Sequence, residues 1–163
     1  GDPLELTEIM KFLNLNKGPS YLRLGRGGEP NIHKKINSLS PGEWQEIVKP
    51  KGDKVFLTTG AALSYGLDLI DKKDNFKSYG LYSLPIWGMK EKRMQSKFIN
   101  KFKEIHVLED HLIDGGFGSW ILESENQFNP DSETKIILHG LDSKVSGMVG
   151  TQDFLNKEGW DLF

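Results

Sequence analysis

Three groups of residues in this chain combine types and spacing suited to chemistry. The first is Glu109-Asp110-His111, where two carboxylates and an imidazole follow the apolar run Ile105-His106-Val107-Leu108. A carboxylate beside an imidazole can do acid–base work, and the carboxyl end of a strand is where α/β proteins hold ligands. The competing role is a hydrogen-bonded loop that fixes domain contacts. The second group is Gly115-Gly116-Phe117-Gly118-Ser119. A turn of this kind opening a helix presents free backbone N–H groups to an anion. It equally allows a tight turn and close helix–sheet approach, and that plainer role is favoured. Neither a GxGxxG fingerprint nor a P-loop Gly-Lys-Ser/Thr occurs. The third is Arg26, set in Gly25-Arg26-Gly27-Gly28. Its guanidinium can hold a phosphate with two parallel N–H groups, remain in solvent, or form an interdomain salt bridge.

Other residues have a weaker claim. His33 and His139 lack partners by spacing, and His106 lies inside a strand run as a packed residue. No His-x3-His or Glu-x2-His helical spacing occurs, so zinc is not expected. Lys90, Lys92, Arg93, Lys97, Lys101 and Lys103 crowd one region and read as a solvated helix face. Trp44, Trp87, Trp120 and Trp160 read as core or interface groups. The chain has 163 residues, a formal net charge of −2 and no cysteine. That charge gives no reason to expect nucleic acid or a membrane as partner. Disulfides, thiolate metal sites and thiol catalysis are excluded. No apolar run approaches the ~18 residues of a bilayer span. The first residues, Gly-Asp-Pro-Leu-Glu-Leu, lack the basic and apolar regions of a signal peptide. The expected location is cytoplasmic.

The elements that must position these groups are legible in the apolar pattern. Asp2-Pro3-Leu4-Glu5 predicts a helix start, with Asp2 as cap, Pro3 at the first helical position and Glu5 completing a capping-box-like pattern. Leu6, Ile9, Met10 and Leu13 then share a helical face. Pro19 to Leu24 reads as a strand, and residues 27–43 as a linker. Trp44–Val48, Val55–Thr59, Tyr79–Ile86, Ile105–Leu108 and Lys135–Leu138 read as strands. Helical stretches follow Gly60, run through Met94, Phe98 and Phe102, start at Phe117, and close the chain over Thr151–Lys157. Apolar strands alternating with amphipathic helices predict a largely parallel sheet covered on both faces.

Four segments, in order, resemble the transketolase superfamily of thiamine-diphosphate enzymes. They are Gly18-Pro19-Ser20-Tyr21-Leu22-Arg23-Leu24-Gly25-Arg26, Asp53 to Gly60, Val107 to His111 with Gly115 to Ser119, and Val149 to Phe154 with Gly159. The resemblance implies the family's C-terminal domain: three α/β/α layers and a five-stranded, mostly parallel sheet, with Trp44–Val48 as an antiparallel edge strand. Residues 1–26 would be the last helix and strand of the pyrimidine-binding domain, 27–43 a linker, and 44–163 the C-terminal domain.

The implied activity is transfer of a two-carbon ketol unit between sugar phosphates. The complete enzyme would use thiamine diphosphate and Mg, with neither bound by this chain alone. The chain would be inactive alone and would serve structure and dimer contacts. Its partners would be the missing N-terminal thiamine-binding domains or subunit, within a homodimer. Arg26 matches the arginine that binds the sugar phosphate, while Arg23 is expected to be structural. Glu109, Asp110, His111, Gly115, Gly116 and Gly118 would be structural or interface residues. Leu84-Pro85-Ile86-Trp87-Gly88-Met89-Lys90 lacks the Phe-Asp or Pro-Leu-Asp common after this strand, which suggests a divergent branch. The alternative is a non-catalytic interaction module, or a subunit of a 2-oxo-acid dehydrogenase-like or deoxyxylulose-phosphate synthase-like complex.

Overall fold

A computed structural model describes residues 1–25 and 27–160, the side chains of Gln152 and Asp153 excepted. Strands β1 (Gln45–Val48), β2 (Lys54–Thr58), β3 (Gly80–Ser83), β4 (Glu104–Leu112) and β5 (Lys135–Leu141) form one sheet in the order β1-β3-β2-β4-β5. Only the β1–β3 pairing is antiparallel; β2, β3, β4 and β5 run parallel. This is the sheet the sequence predicts, with the expected segment at the antiparallel edge.

Strand alternation sorts the core into two layers. Val55, Leu57, Ile105 and Val107 face one side, where α3 (Lys92–Ile99) and α4 (Phe117–Phe128) bring Ile99, Phe117, Trp120 and Ile121. Phe56, Leu81 and Leu108 face the other, against Leu63, Leu69 and Ile70 of α2 (Ala62–Lys72) and Trp160 after α5 (Gln152–Gly159). Parallel strands need such crossover helices, and covering both faces explains their almost unbroken apolar runs. Gly66 lets α2 approach the sheet, because a Cβ there would lie 2.6 Å from Leu81 Cδ1.

Helix α1 (Pro3–Leu15) starts as expected, with Asp2 Oδ1 accepting from Glu5 N at 2.9 Å. Glu5 does more than complete the cap. It is fully buried, 3.7 Å from His33 Nε2. Asp2 Oδ2 also accepts from Ile32 N at 3.0 Å and His33 N at 2.7 Å, tying the start of α1 to the linker. Burial raises the Asp2 carboxyl, but the N–H groups of Glu5, His33 and Ile32 and the His33 ring outweigh it and hold it below the usual range.

Three local expectations fail. Residues 19–24 form no strand, because among the described residues no strand lies beside them to complete a ladder; Tyr21 is 90% exposed. On α3, Met94 is exposed and Gln95 is fully buried instead. Gln95 is satisfied in the interior: its Oε1 accepts from Trp44 Nε1 at 2.7 Å, and its amide donates to the carbonyls of Gly42 and Glu91. Lys92, expected in solvent, is buried and paired with Glu123.

Candidate functional site

Strand β4 loses its register with β5 at the residues of interest. Leu108 pairs with His139 and Leu112 with Leu141, so Glu109, Asp110 and His111 stand opposite the single residue Gly140. This is a β-bulge, a feature that re-aims side chains and is frequent beside functional sites. Its tight path requires Gly140: a Cβ there would lie 2.7 Å from the backbone oxygen of His111.

At the bulge, Glu109 and His111 lie together while Asp110 points outward. Glu109 is fully buried and turns toward α4. Its Oε2 accepts from Phe117 N at 2.6 Å and its Oε1 from Gly118 N at 3.3 Å. Residue 116, the N-cap of α4, has no capping side chain, so the distant carboxylate supplies the cap. Asp110 points outward and accepts from Arg23 Nη1 at 2.6 Å, joining the segment before Arg26 to the end of β4. His111 folds back, with Nε2 3.3 Å from Glu109 Oε2 and Nδ1 2.8 Å from the Leu112 carbonyl oxygen.

The glycines follow from this geometry. Gly115 has φ +69, the left-handed region. A Cβ on Gly116 would collide with the Glu109 carboxylate and the His111 ring, and one on Gly118 would lie 2.8 Å from Leu138 Cδ2. Burial raises the Glu109 carboxyl above its ordinary value. The His111 charge and the N–H groups of Phe117 and Gly118 act against that rise, while Asp110 adds to it.

The same strand carries a second polar cluster at its start. Glu104 Oε1 accepts from Tyr79 OH at 2.8 Å and from Lys54 Nζ at 3.0 Å, and lies 3.2 Å from His106 Nε2. His106 Nδ1 is 2.8 Å from His139 Nε2, with the two rings parallel. Lys54 and then Tyr79 hold the Glu104 carboxyl down to about 2. Burial pushes His106 below its ordinary value. Neither His139 nor His33 had a partner by spacing, because their partners lie on other elements.

Arg26 lies outside the described residues. Of the other site residues named from sequence, the bulge brings Glu109, His111, Gly116 and Gly118 together at the start of α4, with Asp110 on the outer side.

No family model matches the chain. Over 158 residues, 96% of its length, the chain is 25% identical to the 1-deoxy-D-xylulose-5-phosphate synthase of Clostridium tetani. The synthase of Bacillus velezensis is 28% identical over 114 residues, 68% of the chain. That of Fusobacterium nucleatum is 28% identical over 130 residues, 77% of the chain. A solved split-gene transketolase, an inactive beta4 tetramer, matches 93% of the chain with a TM-score of 0.76 at 19% identity. The chain is similar to the C-terminal portion of transketolase-family enzymes.

This transketolase-like domain spans 18% to 25% of the length of those synthases and 48% of the transketolase chain. The complete enzymes of the family imply thiamine diphosphate and a divalent metal. The start of α4 does not fit a diphosphate, and the described residues gather no set of metal ligands. Glu109 already fills the N-terminus of α4, where a diphosphate would otherwise meet free N–H groups. Among the described residues, no three His, Asp or Glu side chains converge on a metal position. None of the described helices is long and apolar enough to cross a membrane.

Proposed function

We propose that this chain is the C-terminal domain of a thiamine-diphosphate enzyme that transfers a two-carbon ketol unit between sugar phosphates. The observation that carries the proposal is the near-complete match to a synthase of that family, 96% of the chain in one alignment. Residues 1–26 then end the pyrimidine-binding domain, 27–43 link, and 44–163 form the C-terminal domain. The clamp of Asp2 on Ile32 and His33 supports this reading as a join between α1 and the linker. The complete enzyme is a cytoplasmic homodimer whose other domains hold the cofactor and metal. The cofactor supplies the carbanion chemistry when bound. In this chain the bulge and the start of α4 orient the interdomain surface, and Arg26 holds the substrate phosphate with its guanidinium fork. Alone, the chain is inactive.

A second reading follows from the relatives themselves. Those reported are 1-deoxy-D-xylulose-5-phosphate synthases, and the observation that supports a synthase-like complex is their shared name. Both readings keep a phosphorylated sugar and a role for Arg26.

The test is an assay of the chain with thiamine diphosphate and Mg, alone and then with the missing domains supplied. Turnover only in the second case is expected, and turnover by the isolated chain would sink the proposal. In the active assembly, Arg26→Gln should raise KM for the phosphorylated substrate at least about tenfold, the scale of a lost charge-assisted contact, with kcat little changed. Comparing a ketose-phosphate donor with a 2-oxo-acid donor that loses CO2, each with an aldose-phosphate acceptor, separates the two readings.

A further inference from the structure

Two buried histidines join β4 to β5, and their hydrogens can be counted. His106 Nε2 is hydrogen-bonded to Glu104 Oε1 at 3.2 Å, and His106 Nδ1 to His139 Nε2 at 2.8 Å, with the two rings parallel. Lys54 and Tyr79 hold Glu104 ionised, so its carboxylate only accepts and His106 Nε2 carries a hydrogen. In a neutral His106 ring, Nδ1 then has only a lone pair, and His139 must donate to it from Nε2. Added protons disturb this chain in two steps. The first is accommodated: His106 becomes imidazolium, and His139 moves its hydrogen to the other ring nitrogen so that Nε2 accepts. The second is not. With both rings charged, an N–H of His106 faces an N–H of His139 at a separation that admits no third group.

We propose that His106 and His139 form an acid-operated clasp between β4 and β5, closed while at least one ring is neutral and opened when both are charged. The two rings titrate as a unit. Opening loosens β5 above all, because β5 is the edge of the sheet and pairs with β4 alone among the described strands, whereas β2 and β3 are held from both sides. This inference goes beyond the ketol-transfer reading and stands whether or not that reading holds.

The surroundings keep the clasp closed at neutral pH. Among the described residues, β2 brings Lys54 to this face, the segment before β3 brings Tyr79, β4 brings Glu104, and β5 brings Lys135 and His139. Phe56 and Phe76 pack on the His106 ring and carry no charge. On α2, Asp68 and Lys72 pair with each other in solvent and Asp71 is exposed. On α5, Lys157 and Glu158 are exposed, and Asp142 and Lys144 line a cleft with His139 where β5 meets α5. Burial acts most strongly against a proton on His106, and the His139 and Lys135 charges add to it. Only Glu104 favours one, and the His106 ring lies below its ordinary value.

The experiment is a titration of the uniformly 15N-labelled chain from about pH 8 down to about pH 4.5, spanning the histidine range. Long-range ring correlations report the tautomer and charge of each histidine, and hydrogen exchange, corrected for its intrinsic pH dependence, reports the strands. At pH 8 His106 should carry its hydrogen on Nε2 with Nδ1 bare, and His139 should carry its own on Nε2. Once both rings are charged, protection of the β5 amides should fall about tenfold while Leu57 and Tyr82 keep theirs. In His139→Gln, which cannot charge, the loosening of β5 should vanish and His106 should titrate at higher pH. A native His106 with its hydrogen on Nδ1 and a bare Nε2 overturns the proposal. So does β5 protection that is equal at both ends of the titration, or loosening that persists in His139→Gln. The native chain alone decides the first two points, so a variant that fails to fold leaves the test intact.

Discussion

Strand β4 carries two Glu-x-His pairs, Glu104 with His106 at its start and Glu109 with His111 at its end. Their spacing is identical and their environments push the carboxyls in opposite directions. At the start, β4 is regular, so residues two apart share a face. Lys54 on β2 and Tyr79 before β3 reach that face and hold Glu104 ionised, at about 2. His106 Nε2 therefore donates to Glu104, and His106 Nδ1 accepts from His139 Nε2. At the end, Glu109 follows Ile105 and Val107 onto the face covered by α4, which offers N–H groups but no cation. Burial then raises that carboxyl, and only His111 supplies a compensating charge. The comparison shows that a dipeptide spacing sets proximity, while the elements opposite it set where the proton resides.

The largest way to break the comparison is Glu109→Ala. It leaves the N–H groups of Phe117 and Gly118 without their acceptor in a buried position, so a loss of about 2–4 kcal/mol is expected in urea unfolding. A loss below about 1 kcal/mol would mean that water replaces the cap. Gly140→Ala should come next, at about 1–3 kcal/mol, because its Cβ meets backbone rather than a movable side chain. Amide shifts should change around the bulge and stay unchanged at Glu104 and His106.

pH sharpens the contrast by sign. Glu104, held low, contributes stability that is present above its unfolded value of 4.5 and lost as pH falls toward about 2. His106, also held low, contributes stability above its ordinary 6.5 that is lost as pH falls below it. Glu109, held high, contributes most below 4.5, and that part is lost as pH rises through its folded value. Denaturation across pH should therefore show Glu104→Gln flattening the acid limb and Glu109→Gln flattening the slope on the other side of 4.5. Equal effects of both variants on the acid limb would refute the contrast.

Two smaller effects remain. Tyr79→Phe removes one hydrogen bond to Glu104 and should cost about 1 kcal/mol. It should also raise the Glu104 carboxyl, as read by 13C titration. Arg23→Ala breaks an ion pair whose arginine is half exposed, so the stability change should be below about 1 kcal/mol. Hydrogen exchange should nonetheless quicken in residues 19–25, while β4 up to Leu108 keeps its protection.

Much of this was legible in the chain. Apolar alternation located all five strands, the small edge strand included. Asp2 and Pro3 marked the start of α1, and the glycines at 115, 116 and 118 marked a close turn. Strand and helix periods are local properties, and a cap needs only neighbours three residues away. The expectations that failed depended on remote partners. Pro19 to Leu24 has strand composition but no adjacent strand. His33 and His139 looked isolated because Asp2, Glu5 and His106 reach them only after folding. Gln95 is polar by type, and only Trp44 and the Gly42 carbonyl make it a buried hub.

By itself the sequence determined the five strands of the sheet, the start of α1, the family they resemble, and the adjacency of Glu109, Asp110 and His111. Tertiary structure alone decided what those three do. Glu109 and His111 lie together and Asp110 points the other way, but the partners each one meets are set by distant elements. The start of α4 receives one carboxylate and Arg23 the next, beside a bulge that a glycine on the neighbouring strand makes possible. The physical reason is that burial and hydrogen-bond partners come from elements distant in the chain, and these determine whether a carboxyl keeps its proton.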